Sequence, residues 1–230
     1  MKLSKSSIAA QNSQKSTVSL PRKVGLKSPA LFPVFLKLAG RPCLVVGAGA
    51  VAQEKIDGLL AAGAEVTVVA PRATDTVHDW SEAGEIRWEA RTFAPADLDG
   101  VFLVVAATSA REVNQQVFQE AQRRRVLINT VDDPPRCDFY YGSVVRRGAL
   151  QIAISTDGNS PALAQRLRCD LAQKYGPEYK EWLEELGRER RRLFGTEMDA
   201  EQRRQLLHTM AGRKSYEDFV RRCQNGEDRR

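Results

Sequence analysis

Histidine and cysteine are scarce in this sequence of 230 residues, which contains two histidines and four cysteines. The cysteines are far apart, none belongs to a C-x-x-C pair, and none has a histidine nearby. This spacing suggests neither a disulfide framework nor a zinc site, and it favours a reducing, cytoplasmic compartment. With only His78 and His208, a histidine metal cluster or a serine–histidine triad is close to impossible.

Long apolar runs are missing as well. The best apolar runs, over residues 44–46 and 101–107, have at most the length of a β-strand. A membrane-spanning helix needs about 20 consecutive apolar residues. The sequence therefore excludes a membrane protein.

Acidic residues are absent from the first 30 positions, which contain six lysines and arginines and seven serines. The net charge of +6 thus belongs to this segment, because residues 31–230 carry 29 basic and 29 acidic side chains. Such a segment buries too little apolar surface to offset its chain entropy, so we expect a disordered basic tail over 1–30. A transit-type leader is the alternative. Because the folded part is neutral, we expect no nucleic-acid partner.

The segment after Arg41 has the order strand, glycine turn, helix and strand. An apolar run over 42–46 leads directly into GAGAVA, a helical pattern follows, and a β-branched run covers 66–69. This is a βαβ unit within about 30 residues. Strands predicted over 86–90, 101–106 and 126–129 continue the pattern, with a helix predicted between the last two. The fold class is therefore α/β, with a Rossmann-type parallel sheet.

The alternation stops at Pro134-Pro135, which exclude an α-helix and a central strand. Beyond this point the sequence predicts short extended pieces, a strand over 150–156 and a helix that begins with Ser160 as N-cap and Pro161 at its first position. We expect four regions: the tail over 1–30, a dinucleotide-binding Rossmann domain over 31–142, a small α+β module over 143–175 and a helical C-terminal domain over 176–230.

Gly47-x-Gly49-x-x-Ala52 is a dinucleotide-binding fingerprint that ends in alanine. Gly47 permits a tight turn, Gly49 lets the backbone approach a pyrophosphate, and Ala52 lets the helix pack closely on the strand. The alternative is close packing that merely needs small residues. The acidic residue that usually follows the second strand is absent, and Arg72 stands in this region. Arg72 contacts a 2′-phosphate or is a solvated loop cation, so the rule leaves NAD and NADP open.

Polar residues at the carboxyl ends of the fourth and fifth strands are candidates for ligand contact. Thr108 either contacts the cofactor or caps a helix. Asn129 is a second candidate, and otherwise a turn former. Asp132 either accepts a proton as hydride leaves a substrate or belongs to a turn, a role that fits Asp133 better because Pro134 follows it.

Several arginines flank the second module, and a guanidinium suits carboxylate recognition. Each of them is otherwise an ordinary solvated cation. These arginines are Arg136, Arg146, Arg147, Arg166 and Arg168.

The sequence contains, in order, the motifs FPVFL, CLVVGAGAVA, AAT, VN, NTVD and LQIAISTDGNSPALA. This ordered set resembles the precorrin-2 dehydrogenase / sirohydrochlorin ferrochelatase family, the N-terminal module of siroheme synthase. The match runs from about residue 31 to 175, with a looser helical match to the end.

The resemblance implies that NAD accepts a hydride from precorrin-2, a tetrapyrrole rich in carboxylates, to give sirohydrochlorin. In bifunctional members ferrous iron is then inserted as a second substrate. It further implies a homodimer formed through residues 143–175, and a separate methyltransferase that supplies the substrate. Thr156 stands where one branch of the family has a phosphorylated serine, so we do not expect that regulation here.

The resemblance also assigns roles to residues. Asp132 is the implied catalytic residue, and no metal ligand is expected. The implied cofactor-binding residues are Gly47, Gly49, Ala50, Val51, Pro71, Arg72 and Thr108. Apart from the resemblance, the guanidinium groups expected to bind substrate carboxylates are those of Arg136, Arg146 and Arg166. The alternative function is a non-catalytic NAD-binding module that senses redox state, which would tolerate replacement of Asp132.

Overall fold

Five parallel strands form the central sheet in the computed structural model, which describes residues 30–225. The strands are β1 (Pro42–Val46), β2 (Glu65–Val69), β3 (Ile86–Glu89), β4 (Leu103–Ala106) and β5 (Leu127–Thr130). Their order is β3-β2-β1-β4-β5, and every pairing is parallel. The chain thus builds one half of the sheet outward from β1 and then returns to build the other half. This confirms the predicted Rossmann-type sheet, with a crevice where the strand order reverses between β1 and β4.

Helices cover both faces of the sheet and bury one apolar cluster on each side. On one side, Val45 packs in a cluster with Ile56 of α1 (Ala50–Leu60) and Val77 of α2 (Asp75–Glu82). On the other side, Leu44 packs in a cluster with Val117 of α3 (Arg111–Arg124). Neighbouring residues of β1 therefore point to opposite faces, and both faces are buried.

The helix α2 has no counterpart in the sequence prediction. It is eight residues long and buries only Val77, so its apolar periodicity is weak. Its start has a recognisable signal, since the Thr74 hydroxyl accepts a hydrogen bond from the Val77 backbone N–H at 3.4 Å. The predicted strands are correct in place, although β4 begins two residues later than expected and β5 is shifted by one residue.

A second, smaller sheet follows the Rossmann part. It is an antiparallel hairpin of β6 (Ser143–Arg147) and β7 (Leu150–Ile154), and α4 (Pro161–Lys174) packs on it. The Ser160 hydroxyl accepts a hydrogen bond from the Leu163 N–H at 3.2 Å, which confirms the predicted N-cap. Arg147 donates to the backbone oxygens of Ala172 and Tyr175, both at 2.9 Å. This arginine therefore holds the last turn of α4 against β6, because those carbonyls have no partner within the helix.

Three helices complete the described chain: α5 (Tyr179–Phe194), α6 (Ala200–Met210) and α7 (Arg213–Asn225). The first and last of them are joined where the Tyr216 hydroxyl donates to Glu178 at 2.5 Å and Arg222 pairs with Glu185 at 2.8 Å. No helix between residues 30 and 225 is long and apolar enough to cross a membrane. The tail predicted over 1–30 lies, except for Ala30, outside the described residues. From Phe35 onward the chain forms one compact unit, so the proposed borders near 142 and 175 stay predictions.

The turn after β1 depends on Gly47. Its backbone φ is +112°, and a Cβ atom at this position would lie 2.4 Å from the carbonyl oxygen of Ala107. The two backbones are also hydrogen-bonded nearby, since the Ala107 N–H donates to Val46 O at 2.8 Å. The chain therefore passes so close to the loop after β4 that no side chain fits.

We expect Gly47→Ala to lower the free energy of unfolding by at least about 2 kcal/mol, because the new methyl group requires both a strained φ and a backbone shift. Chemical denaturation of the two proteins measures this difference. Gly58→Ala is the matched control: it lies inside α1 with open space around its Cα, so the same change should stabilise the protein by about 0.5–1 kcal/mol. Equal stability of the Gly47→Ala variant and the wild type would contradict this account of the turn.

Candidate functional site

An apolar cavity of about 700 Å³ opens at the carboxyl ends of β1, β2 and β4. We call it the nucleotide cavity. Its lining comes from the turn after β1, the loop after β2, the loop after β3 and the loop between β4 and α3, with two residues after β5. These are residues 46–51, 69–72, 92–93, 107–110, 113 and 131–132. All seven residues predicted to contact the cofactor line this cavity.

The start of α1 faces the nucleotide cavity without a side-chain cap. Gly49 is the N-cap residue, no side chain bonds the first turn, and that turn contains no acidic residue. The first N–H groups of a helix have no intrahelical acceptors and favour anions. A Cβ atom on Gly49 would meet nothing within 4 Å. The fold itself thus does not need glycine here, so the free space is available to a ligand.

The far end of the cavity, after β2, contains Pro71 and Arg72. Arg72 is exposed and makes no hydrogen bond or ion pair with any other described residue. Asp132 is the only carboxylate in the lining. The residues therefore fit a dinucleotide: small and apolar walls, free N–H groups for the phosphates and one cation.

The loop after β3 brings Thr92 and Phe93 into the lining of the cavity, and neither residue was predicted to belong to the site. Arg91 fixes this loop by two hydrogen bonds to Asp97, at 2.7 and 2.9 Å. Burial raises the pKa of Asp97, but the bonds from Arg91 and from the Ala94 N–H outweigh it and leave that pKa lowered. The carboxylate therefore stays ionised and holds the loop at neutral pH.

Thr108 lines the nucleotide cavity, where cofactor contact stays a prediction, but it does not cap α3, whose N-cap residue is Ala110. Its hydroxyl donates a hydrogen bond to Asn114 Oδ1 at 2.8 Å. Asn114 in turn donates to Thr108 O at 2.9 Å. The pair thus fixes the loop between β4 and α3, so the Thr108 side chain is already engaged within the protein.

A second cavity of about 710 Å³ lies beside the first, between the carboxyl ends of β4 and β5. We call it the polar cavity, because Val131 is the only apolar residue of its lining. It shares Thr108, Ser109, Val131 and Asp132 with the nucleotide cavity. The other lining residues are Arg111, Glu112, Asn114, Gln115, Thr130, Asp133 and Arg136.

The two aspartates after β5 have different surroundings. Asp133 forms an ion pair with Arg136, and its N–H donates to Thr130 O at 3.2 Å, so it belongs to the turn. Asp132 is exposed, and no other described residue forms a hydrogen bond or ion pair with its carboxylate. Its backbone lies in the left-handed region with φ of +58°, which aspartate tolerates better than most residues. The unpaired carboxylate therefore stands on the rim that the two cavities share.

Asn129 has a structural role. It is buried at the end of β5, and its amide donates to Phe139 O at 2.8 Å. Next to it, the Cys137 thiol donates to Thr130 O at 3.2 Å. Burial raises the pKa of Cys137, which keeps this thiol protonated. Both side chains therefore hold the turn that carries Asp132, and neither reaches a cavity.

The predicted substrate-binding arginines are not gathered in one place. Arg136 lines the polar cavity, while Arg146 on β6 and Arg166 on α4 are exposed and lie outside the lining of both cavities. Arg111 lines the polar cavity but was not predicted. Its position beside the Ala107-Thr108-Ser109 loop at the end of β4 is the signal that could have found it.

Two family models match the chain. A putative NAD(P)-binding model matches residues 34–143, and a sirohaem biosynthesis protein central model matches residues 147–174. Siroheme synthase 1 of Serratia proteamaculans is 48% identical over 136 residues, which are 59% of this chain and 29% of that protein. Siroheme synthase of Methylobacillus flagellatus has the same identity and the same shares. The match thus spans less than a third of the length of these relatives.

A solved structure, SirC, precorrin-2 dehydrogenase, is similar to the chain with a TM-score of 0.70 and 28% sequence identity. The likeness covers 85% of this chain and 100% of that one. The chain is therefore similar in sequence to part of the siroheme synthases and similar in fold to the precorrin-2 dehydrogenase SirC.

Proposed function

We propose that the chain is an NAD-dependent dehydrogenase that oxidises precorrin-2 to sirohydrochlorin in siroheme biosynthesis. The observation that carries this proposal is the unpaired Asp132 carboxylate on the rim between the nucleotide cavity and the polar cavity. The similarity to siroheme synthases and the likeness to a precorrin-2 dehydrogenase along the whole of that protein support the choice of substrate.

The cofactor-binding roles rest on the lining of the nucleotide cavity. The turn from Gly47 to Val51 holds the pyrophosphate with the free N–H groups at the start of α1, while Pro71 and Arg72 contact the nucleotide at the end of β2. NAD, when bound, supplies the acceptor for the hydride that leaves the substrate. The walls exclude water from that end of the site because most of them are small and apolar.

Asp132 accepts the proton that leaves precorrin-2 together with the hydride. Its carboxylate is available because Asp133, not Asp132, takes the ion pair with Arg136. Its position is fixed by the hydrogen bonds of the turn, from Val131 N–H to Ala106 O at 2.9 Å and from Asp133 N–H to Thr130 O at 3.2 Å. A fixed base within reach of the substrate needs no reorganisation before it accepts a proton.

Arg136, Arg146 and Arg166 are proposed to bind carboxylates of the tetrapyrrole. Of the three, only Arg136 lines the polar cavity, where it also forms an ion pair with Asp133. Arg146 and Arg166 have exposed guanidinium groups on the hairpin module, and they suit substrate carboxylates that extend beyond the cavities.

We also propose that the chain acts as a homodimer through residues 143–175 in the cytoplasm. A two-stranded sheet is marginal by itself, and Leu163 on α4, the helix that packs on this sheet, is 40% exposed. The free thiols of Cys43, Cys137 and Cys169 fit a reducing compartment.

Ferrous iron is a second substrate in this proposal, and its insertion is a separate question from the oxidation. Residues 30–225 contain no group of three or more histidine, cysteine, aspartate or glutamate side chains that could hold a metal ion. The macrocycle itself would supply the metal ligands, and Asp132 would accept the protons that leave the pyrrole nitrogens. Adding ferrous iron to the oxidation assay and recording the absorbance of siroheme decides this point.

We expect Asp132→Asn to lower kcat for precorrin-2 oxidation by about 10²- to 10⁴-fold, because the amide cannot accept the proton. NAD affinity should stay within about twofold of wild type, since the shape of the nucleotide cavity is unchanged. The measurement is anaerobic turnover of enzymatically prepared precorrin-2 with NAD, followed by the absorbance of sirohydrochlorin. A wild-type protein that binds NAD but does not oxidise precorrin-2 would refute the proposal and favour the redox-sensing module.

Asp157→Asn is the matched control for this substitution. Asp157 also has a left-handed backbone, with φ of +51°, and it lies outside the lining of both cavities. The two variants change the same group on the same kind of backbone. Full activity of Asp157→Asn, with loss of activity in Asp132→Asn, assigns the effect to the shared rim.

We expect Gly49→Ala to fold with wild-type stability but to bind NAD at least about tenfold more weakly, a loss of about 1.4 kcal/mol. The protein leaves open space at this Cα, so the methyl group meets only the ligand. Isothermal titration with NAD measures the affinity, and a thermal melt checks the fold. Unchanged affinity would mean that the pyrophosphate does not pass Gly49.

A further inference from the structure

The polar cavity contains one cation that the protein leaves unpaired. Arg136 is neutralised by Asp133, and Thr108 and Asn114 bond to each other. The Arg111 guanidinium has no hydrogen bond or ion pair with any residue between 30 and 225. It therefore stands available for an anionic group in the space beside Asp132.

The position of Arg111 is unfavourable for the helix that carries it. It occupies the first turn of α3, a helix of 14 residues whose N-cap, Ala110, provides no side-chain bond. A cation at this end opposes the helix dipole, whereas an anion there is stabilised. Glu112 and Asp132 also line the cavity, but an anion that contacts Arg111 meets both the guanidinium and the uncapped end of α3.

Thr130 gives a second, independent sign of a ligand in the same cavity. Its side chain is 2% exposed at the end of β5, and its hydroxyl has no hydrogen-bond partner in the described part of the chain. An unpaired buried hydroxyl destabilises a folded protein, and such groups are rare unless a ligand or water completes them. Valine has the same shape and would avoid this cost.

We propose that the polar cavity binds one carboxylate-bearing arm of the substrate, with Arg111 as its cationic anchor and Thr130 as a buried hydrogen-bonding group. This inference rests on the proposed function, because it takes the substrate to be a tetrapyrrole with several carboxylates. The cavity shares Asp132 with the nucleotide cavity, so an arm held here keeps the macrocycle on the rim where the proton is accepted. Arg111 and Thr130 are then specificity-determining residues.

We expect Arg111→Gln to raise KM for precorrin-2 about tenfold, as for the loss of one charge-assisted hydrogen bond, with kcat within about twofold of wild type. NAD affinity should not change. Arg87→Gln is the matched control: Arg87 is an exposed arginine on the edge strand β3, away from the polar cavity. A KM shift of the same size in both variants would indicate a general effect of charge and overturn the proposal.

We expect Thr130→Val to raise KM about threefold or more while the melting temperature stays equal or rises. A merely structural hydroxyl would change stability without changing KM. Thr67→Val on β2 makes the same substitution at a half-buried strand position outside both cavities, so it should leave KM unchanged. Wild-type KM in both Arg111→Gln and Thr130→Val, with active wild-type enzyme, would overturn the inference and leave the proposed function standing.

Direct titration separates failure of this inference from failure of the proposed function. Sirohydrochlorin is added anaerobically to the wild type and the variants, and quenching of protein fluorescence gives Kd without turnover. A wild type that does not oxidise precorrin-2 but binds sirohydrochlorin, with about tenfold weaker binding by Arg111→Gln, would refute the dehydrogenase and support the subsite. Absence of sirohydrochlorin binding by the wild type would refute both.

Discussion

The close approach of two backbones at Gly47 is the constraint on which the site depends. Because the chain there comes within van der Waals contact of Ala107, the turn after β1 and the loop after β4 form two sides of one crevice. The parallel pairing of β1 with β2 and β4 brings the carboxyl ends of all three strands to that crevice. The start of α1 then faces it as a direct consequence of the tight turn. A side chain at position 47 would push these elements apart and open the nucleotide cavity.

The two aspartates after β5 differ in their partners: Asp133 belongs to the turn, and Asp132 is the proposed base. Asp133 forms an ion pair with Arg136, and Asn129 and Cys137 hold the same turn by hydrogen bonds. These contacts hold Asp132 in a left-handed conformation that has a cost of its own, of order 1 kcal/mol. The surrounding bonds outweigh that cost, so the carboxylate stays at the junction of the two cavities without a partner. Strain of this kind is expected where position matters more than stability.

Local patterns were sufficient to predict the sheet, the fingerprint turn and the Ser160 cap, because each depends on residues that are neighbours in sequence. The helix α2 escaped prediction since it is short and buries a single valine. The sequence did not predict three residues of the two linings: Thr92, Phe93 and Arg111. Their positions depend on which loops the strand order brings together, and a local sequence pattern does not show this. Arg147 is the clearest case of a tertiary role: it resembles a ligand-binding cation in sequence, yet it holds the end of α4.

The contrast between the two cavities fits the proposed role of a single carboxylate between them. The walls of the nucleotide cavity are mostly apolar, so a charge inside it is poorly screened and interacts more strongly with its neighbours. In the polar cavity a carboxylate of the substrate can bind and still form hydrogen bonds, because the lining is polar. Asp132 belongs to both linings, so in the proposed reaction it accepts the proton at the border between the two cavities, while the hydride leaves toward the nucleotide cavity. A carboxylate at position 133 instead of 132 is paired with Arg136, so it could not serve as the proposed base on the rim.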